Sequence, residues 1–354
     1  MKEKHVFAGN NTGNGFFSYF DQIIKPEEAK RIYILKGGPG VGKNTFMKKF
    51  ALIMLDKGYS VEYIHCSSDN ESLDGIVIPE LKIAFVDGTS PHTIDPVIPG
   101  AVDEIINLGI YLDNQQLEKH KSKITQILQN NSHLYKSAYR YFKAAGIISE
   151  EINSIYDEYV DLKKFNDISN QAINKLFDGS SYSMRTGNRR KLFSESFTAS
   201  GYINYTPLLC QGRKVWAIVG ENTSYTSKLL NFLAEEAVKI GYDTECYYKP
   251  LTPEKMQHIL IPEMNLMIIS TENYMNINYD EVFDLHLIMD SENLKSRISE
   301  IENNLYLYDL LIKTALEKLY ETKRLHDLLE VFYINAMNFK GVDECFENIL
   351  SQYT

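Results

Sequence analysis

The chain has 354 residues, 24% of them charged and 12% aromatic, with a formal net charge of −10, which is the composition of a folded globular protein of about two domains. So acidic a balance disfavours polyanionic partners, and nucleic acid is not an expected ligand. No run of about 18 apolar residues is present, the start lacks an apolar leader, and Cys66, Cys210, Cys246 and Cys345 include no close pair; no membrane span, disulfide or zinc site is expected, and reduced thiols in the cytoplasm are the simple reading.

Near the start, Asn10, Asn11, Gly13 and Gly15 cluster as turn residues. Residues 31–36 are rich in strand formers. Residues 37–45 then read Gly-Gly-Pro-Gly-Val-Gly-Lys-Asn-Thr, which sets Gly37, Gly42 and Lys43 at the spacing G-x-x-x-x-G-K. Small residues let backbone N–H groups turn inward around an anion, a lysine here reaches terminal phosphates, and the dipole of a following helix adds positive potential. Phe46, Phe50, Ile53 and Met54 share one face of that helix, and Gly58 is a fitting stop. The expected phosphate cradle is therefore Gly37, Gly38, Pro39, Gly40, Val41, Gly42, Lys43, Asn44 and Thr45; the competing reading is a chance glycine turn. One letter departs from the pattern, because Asn44 stands where a Ser or Thr hydroxyl would hold magnesium.

After a second strand, His65-Cys-Ser-Ser-Asp69 lies at a carboxyl end, the side on which α/β sheets hold ligands. His65 or Asp69 orienting water or a substrate hydroxyl is weighed against a self-satisfied polar turn, and the turn is preferred, as it is for Asp74. Residues 83–87, Ile-Ala-Phe-Val-Asp, have four apolar residues and then an acid. In that position Asp87 would hold magnesium beside bound phosphates. His92 is read first as structural and second as an acid–base or γ-phosphate sensor. A zinc site from His65, Cys66 and His92 fails for want of a fourth ligand. Folding of the Asn10–Gly15 cluster over a nucleotide base ranks behind its turn reading.

Residues 114–177 carry helical stripes that include Leu117, Ile124, Leu128, Tyr135 and Phe142, expected to pack helix on helix rather than face a partner. Residues 179–190 read as a linker. Arg185, Arg189 and Arg190 there are read as a solvated basic stretch, with neutralisation of a transferred phosphoryl group as the alternative.

The chain is also written twice. At one constant spacing, Tyr33-Ile-Leu-Lys-Gly37 recurs as Trp216-Ala-Ile-Val-Gly220, Lys57-Gly-Tyr59 as Ile240-Gly-Tyr242, and Ile78-Pro-Glu80 as Ile261-Pro-Glu263. The lead-in Phe7 to Gly15 resembles Phe193 to Gly201. Residues 291–350 repeat the helical texture, with Leu294, Ile298, Ile301, Leu305 and Tyr308. In the second copy Tyr225 and Thr226 take the glycine and lysine positions, Lys228 is displaced, Glu221 adds negative charge and Ser270 replaces the acid of Asp87. The second core is therefore expected to be degenerate.

The Lys36–Lys43 loop, His65–Asp69, the Leu73–Glu80 stretch and Asp87-Gly-Thr-Ser-Pro-His92 together resemble a family of poorly characterised bacterial P-loop proteins, described as ATPases or nucleotide kinases and built on a tandemly duplicated core. The resemblance covers almost the whole chain. It implies a P-loop NTPase fold and ATP as ligand, and it names no substrate. Asn44 departs from the family loop, so slow hydrolysis or binding without turnover stays open.

The expectation is an α/β protein of two three-layer, mainly parallel cores, each with a helical arm: core 1 at 1–113, arm 1 at 114–178, linker 179–190, core 2 at 191–290 and arm 2 at 291–354. Its leading function is Mg-dependent ATP hydrolysis at the first core, with Lys43 and Asp87 catalytic and Asn44 and Asp87 on Mg2+. The alternatives are a small-molecule or nucleotide kinase and a non-hydrolysing nucleotide-dependent switch. A small-molecule or protein partner and a homo-oligomer are compatible with these readings.

Overall fold

A computed structural model describes residues 2–91, 93–180, 183–220, 223–272 and 277–353. The first half runs β1 (Glu3–Val6), β2 (Gly9–Thr12), β3 (Gly15–Ser18), β4 (Arg31–Lys36), α1 (Lys43–Asp56), β5 (Val61–His65), β6 (Leu73–Ile78), β7 (Ile83–Asp87), β8 (Asp103–Asn107), α2 (Asn114–Glu118), α3 (Lys121–Asp157) and α4 (Leu162–Phe177). The second runs β9 (Arg189–Leu192), β10 (Glu195–Thr198), β11 (Gly201–Asn204), α5 (Thr206–Cys210), β12 (Lys214–Val219), α6 (Ser224–Ile240), β13 (Thr244–Tyr248), β14 (Met256–Ile261), β15 (Leu266–Thr271), β16 (Glu281–Asp284), α7 (Ser291–Leu294), α8 (Ile298–Asn335) and α9 (Phe339–Leu350).

Two six-stranded sheets carry the same strand order, β1-β5-β6-β7-β4-β8 and, read from the matching edge, β9-β13-β14-β15-β12-β16. In each sheet only β6 or β14 runs antiparallel to its neighbours, and the other pairs are parallel. The repeat extends to backbone detail. Lys82 and Asn265, each closing a one-turn 3-10 helix before β7 and β15, are the two non-glycine residues with positive φ among those described, at 56° and 47°.

The expectation of three-layer cores is corrected. Alternation along each strand sends one set of side chains to helices and the other set to the opposite sheet. Tyr33 and Leu35 of β4 and Phe85 of β7 pack with Phe46 and Phe50 of α1. Ile32, Ile34, Ala84 and Val86 pack instead with Val215, Ala217, Met267 and Ile269 of the second sheet. The two sheets lie face to face with helices outside, giving four layers. Burial on both faces explains the near-continuous apolar strands, whichever kind of layer covers them.

The arms are exchanged. The 37-residue α3 spans about 55 Å at 1.5 Å per residue and runs along α8 from its own core to the other. Beyond it, α4 buries Phe165, Ala172 and Leu176 against Leu229, Leu233 and Ala237 of the second core. Beyond α8, α9 buries Val342, Phe346 and Ile349 against the first core, with Phe346 meeting Phe46 edge to face at 4.9 Å. Antiparallel bridges Val160↔Met289 and Leu112↔Met337 secure the two crossings. The stripes are core in part, with Ala138 and Phe142 of α3 against Ala315 and Leu319 of α8, while Leu128, Ile298 and Leu305 are exposed.

Within the two polar stretches read as turns and as linker, three side chains are tied into the fold, while Gly13 and Asn14 form the turn between β2 and β3 and residues 183–186 are exposed. Asn10 and Asn11 lie within β2, where the Asn10 side-chain amide donates to the Glu195 carbonyl at 2.8 Å and the Asn11 amide donates to the Ser67 and Phe197 carbonyls. Arg190 is in β9, not a solvated linker, and its guanidinium donates to Glu62 at 2.8 and 2.9 Å. Among the described residues no helix is long and apolar enough to cross a membrane, and all four cysteines are free thiols.

Candidate functional site

The glycine loop joins the carboxyl end of β4 to α1, and β4 lies between the parallel strands β7 and β8. The chain turns sharply here because Gly37, Gly40 and Gly42 take φ of 153°, 69° and 96°, the left-handed region that a side chain disfavours. Gly42 is the N-cap of α1. No side chain caps this helix end and its first turn holds no acid, so its positive pole has no neutralising group of its own.

Lys43 is folded back over the loop. Its ammonium donates to the Gly37 and Gly38 carbonyls at 2.8 and 2.9 Å and lies 3.6 Å from Asp87 Oδ2. The other oxygen of Asp87 accepts from the Thr89 N–H at 2.9 Å and from its hydroxyl at 2.6 Å. The two residues expected to be catalytic are thus side by side, and Thr89 orients the carboxylate. Thr45 is exposed on the first turn of α1.

The structure also tests the fit of the expected ligands. The loop's turned backbone, the uncapped helix and Lys43 fit an anion. Asn44 does not fit its expected role on a metal, because its side-chain oxygen accepts the Leu73 N–H at 3.2 Å and thereby ties α1 to β6. Asp87 Oδ2, which faces Lys43, is the group able to meet a divalent cation carried by a nucleotide. Among the described residues no group of three or more His, Cys, Asp or Glu could hold a metal ion. A cleft of about 400 Å³ is lined by residues 110–113 and 335–338. Neither the glycine loop nor Asp87 lines it.

The second arm covers the loop. A Cβ on Gly38 would stand 2.6 Å from the Tyr333 ring, and one on Gly40 would stand 2.9 Å from Ile334 and 3.1 Å from the Glu330 carbonyl. Glu330 lies 3.4 Å from His326 Nε2, and that histidine holds the Glu330 carboxyl below the ordinary carboxylate range. No motif in the sequence points to α8 as part of this site, because its contribution comes from a helix some 290 residues downstream of the loop.

The remaining candidates separate from the loop. His65 meets His5 at 2.9 Å and the Asn70 carbonyl at 2.8 Å and stacks near Tyr205, and burial pushes its pKa down to about 4. It is the last residue of β5 rather than part of a turn, and its ring nitrogens are both engaged by protein. Asp69 accepts from Ser72 and from the Glu71 N–H, as a turn acid does, and also lies 3.4 Å from Lys323 of α8. Asp74 is buried within β6. Arg185 pairs with Asp243. His92 and Glu221 lie outside the described residues.

In the second core the corresponding helix end is closed by protein. Thr223 caps α6 by accepting from the Tyr225 N–H at 3.2 Å, and Asp157 from the end of α3 accepts the Ser224 N–H at 3.0 Å. Lys228 points to the Tyr225 ring, 3.7 Å from its centroid. The Ser270 N–H donates to buried His258, so no acid stands where Asp87 stands in the first core. No protein-family model matches the chain, and comparison with curated proteins and with solved structures yields no match.

Proposed function

We propose that the chain binds a nucleoside triphosphate, with ATP the leading ligand, through residues 37–45 of the first core, and hydrolyses it with Mg2+ at that core alone. The observation that carries this reading is the pairing of three left-handed glycines with an ammonium 3.6 Å from the Asp87 carboxylate, at the uncapped start of α1. Backbone N–H groups of the loop would hold the phosphate chain. Lys43 would exchange its two carbonyl contacts for phosphate oxygens, and Asp87, oriented by Thr89, would face a Mg2+ that neutralises charge on the phosphates. Kinship with the P-loop family rests on the motifs of the sequence, and a cytoplasmic setting suits both the nucleotide and the free thiols.

A second reading, a nucleotide-dependent switch with little turnover, is favoured by one contact. Asn44 gives its oxygen to the Leu73 N–H, so the position that follows Lys43 offers a metal no free oxygen. Titration calorimetry with ATP and Mg2+ on the wild type and Lys43→Ala tests the binding claim: the variant should lose at least about tenfold in affinity. Equal affinity of the two proteins overturns it.

A further inference from the structure

We propose that Phe339, the first residue of α9, is the platform on which the base of a bound nucleotide stacks, so that the first core holds the phosphates and the arm of the second half holds the nucleoside. The proposal rests on the reading of residues 37–45 as a phosphate cradle, and it names where the rest of that ligand lies.

The strand order gives the loop two flanks, because β4 lies between β7 and β8. The β7 flank carries Asp87, with the Lys43 ammonium 3.6 Å away. A lysine at this position reaches the terminal phosphates and the acid faces their metal, so the triphosphate ends on that side. The nucleoside then leaves by the β8 flank. Two pieces of chain build that flank. One follows β8, where a Cβ on Gly37 would stand 3.5 Å from the Gly109 nitrogen. The other is the start of α9, tied to the first by the Asn338 N–H, which donates to the Tyr111 carbonyl at 2.9 Å.

α9 runs alongside α1 in the same direction. At its start, Phe339 and Val342 would stand 3.8 and 3.9 Å from a Cβ on Gly42. Two turns on, Phe346 meets Phe46, and the Lys49 ammonium lies 4.2 Å from its ring centroid. Thr45 is one turn before Lys49 on the same face of α1, so this exposed residue of the loop opens on the side that α9 borders. Phe339 is 41% exposed, and Ile110, next to Gly109, is 68% exposed. An open aromatic ring beside an anion cradle offers what any base can use, since every base has a π-face.

In the second core the same place is filled. Tyr225 stands in the position of Gly42 and meets Phe165 of α4 edge to face at 4.8 Å. The first residue of α4, matching Phe339, is Leu162, which offers no aromatic face. Platform and cradle are thus present together in the first core and lost together in the second.

Titration calorimetry with ATP and with inorganic tripolyphosphate, each with Mg2+, on the wild type, Phe339→Ala, Phe339→Tyr and Lys43→Ala tests this. The wild type should bind ATP more tightly than tripolyphosphate. Phe339→Ala should lose about tenfold in ATP affinity and keep its tripolyphosphate affinity, since stacking serves the base alone. Phe339→Tyr, which keeps the ring, should bind both like the wild type. Phe339→Ala binding ATP like the wild type, with Lys43→Ala weakened for both ligands, overturns the platform and leaves the cradle intact. An equal loss for both ligands in Phe339→Ala reduces the residue to a prop for the loop and also overturns the proposal. A wild type that binds neither ligand overturns the cradle reading and the platform with it.

Discussion

Phe7 and Phe193 are equivalent residues of the two halves, and they pair with each other: each N–H donates to the other's carbonyl, at 2.8 and 2.9 Å. Self-pairing of equivalents places an approximate twofold axis between them. The same axis organises four charged side chains nearby. Lys4 of β1 and Arg190 of β9 are equivalents, as are Glu62 of β5 and Glu245 of β13, and each cation contacts both acids.

This quadruplet gives the first prediction. Burial pushes the Glu245 carboxyl up, but Lys4 and Arg190 outweigh it and hold it at about 2; Glu62 is held low in the same way by Arg190 and Lys4. Arg190→Met leaves a buried acid short of its partner and should cost about 3–5 kcal/mol, read by urea denaturation. The double variant Arg190→Met/Glu62→Met should recover most of that loss. A single variant as stable as the wild type would show that the cluster is solvated.

The exchange of arms gives the second. Phe346 is 2% exposed, and Phe346→Ala should cost about 3–5 kcal/mol through the cavity it leaves. Hydrogen exchange should rise in α1, against which Phe346 packs, and not in α6. Phe165→Ala should do the reverse, since Phe165 meets Tyr225 of α6 at 4.8 Å. Loosening of α6 by Phe346→Ala would contradict the exchanged packing.

His65 should give the protein a pH dependence. Its folded pKa, depressed from 6.5 to about 4 by burial, means that the unfolded chain takes up a proton first as pH falls. The contribution is complete above pH 6.5 and is lost as the pH drops towards 4. Between pH 7.5 and 5 this amounts to about 2 kcal/mol at 1.36 kcal/mol per pK unit. Subtracting the pH profile of His65→Gln from that of the wild type isolates it, and its ring resonances should stay unshifted down to about pH 5.

Asn44→Ser tests the second reading of function. The serine hydroxyl restores a metal ligand at the loop while releasing the Leu73 N–H, at a stability cost of about 1 kcal/mol. Mg2+-dependent phosphate release should rise several-fold over the wild type. A variant no faster than the wild type would place the limit on turnover elsewhere, with the cover of α8 as the next suspect.

What the chain's letters determined by themselves was local and repetitive. The glycines at 37, 40 and 42 announced a turn that only glycine enters easily, the apolar runs announced buried strands, and the matched spacing of Gly37 with Gly220 and of Ile78-Pro with Ile261-Pro announced a doubled topology. Tertiary structure decided which surfaces meet. Alternation separates Ile32 and Ile34 from Tyr33 and Leu35, but an apolar face reads alike whether a helix or a second sheet covers it, so the four-layer stack was not legible. Helical periodicity in 121–157 and 298–335 marks a buried stripe without naming its partner, so the crossing of α4 and α9 to opposite cores was not legible either. The polar side chains followed the same logic. Asn44 and Arg190 each carry hydrogen-bonding groups with several uses, and the choice of Leu73 and of Glu62 as partners was made by long-range packing, which sequence spacing does not record.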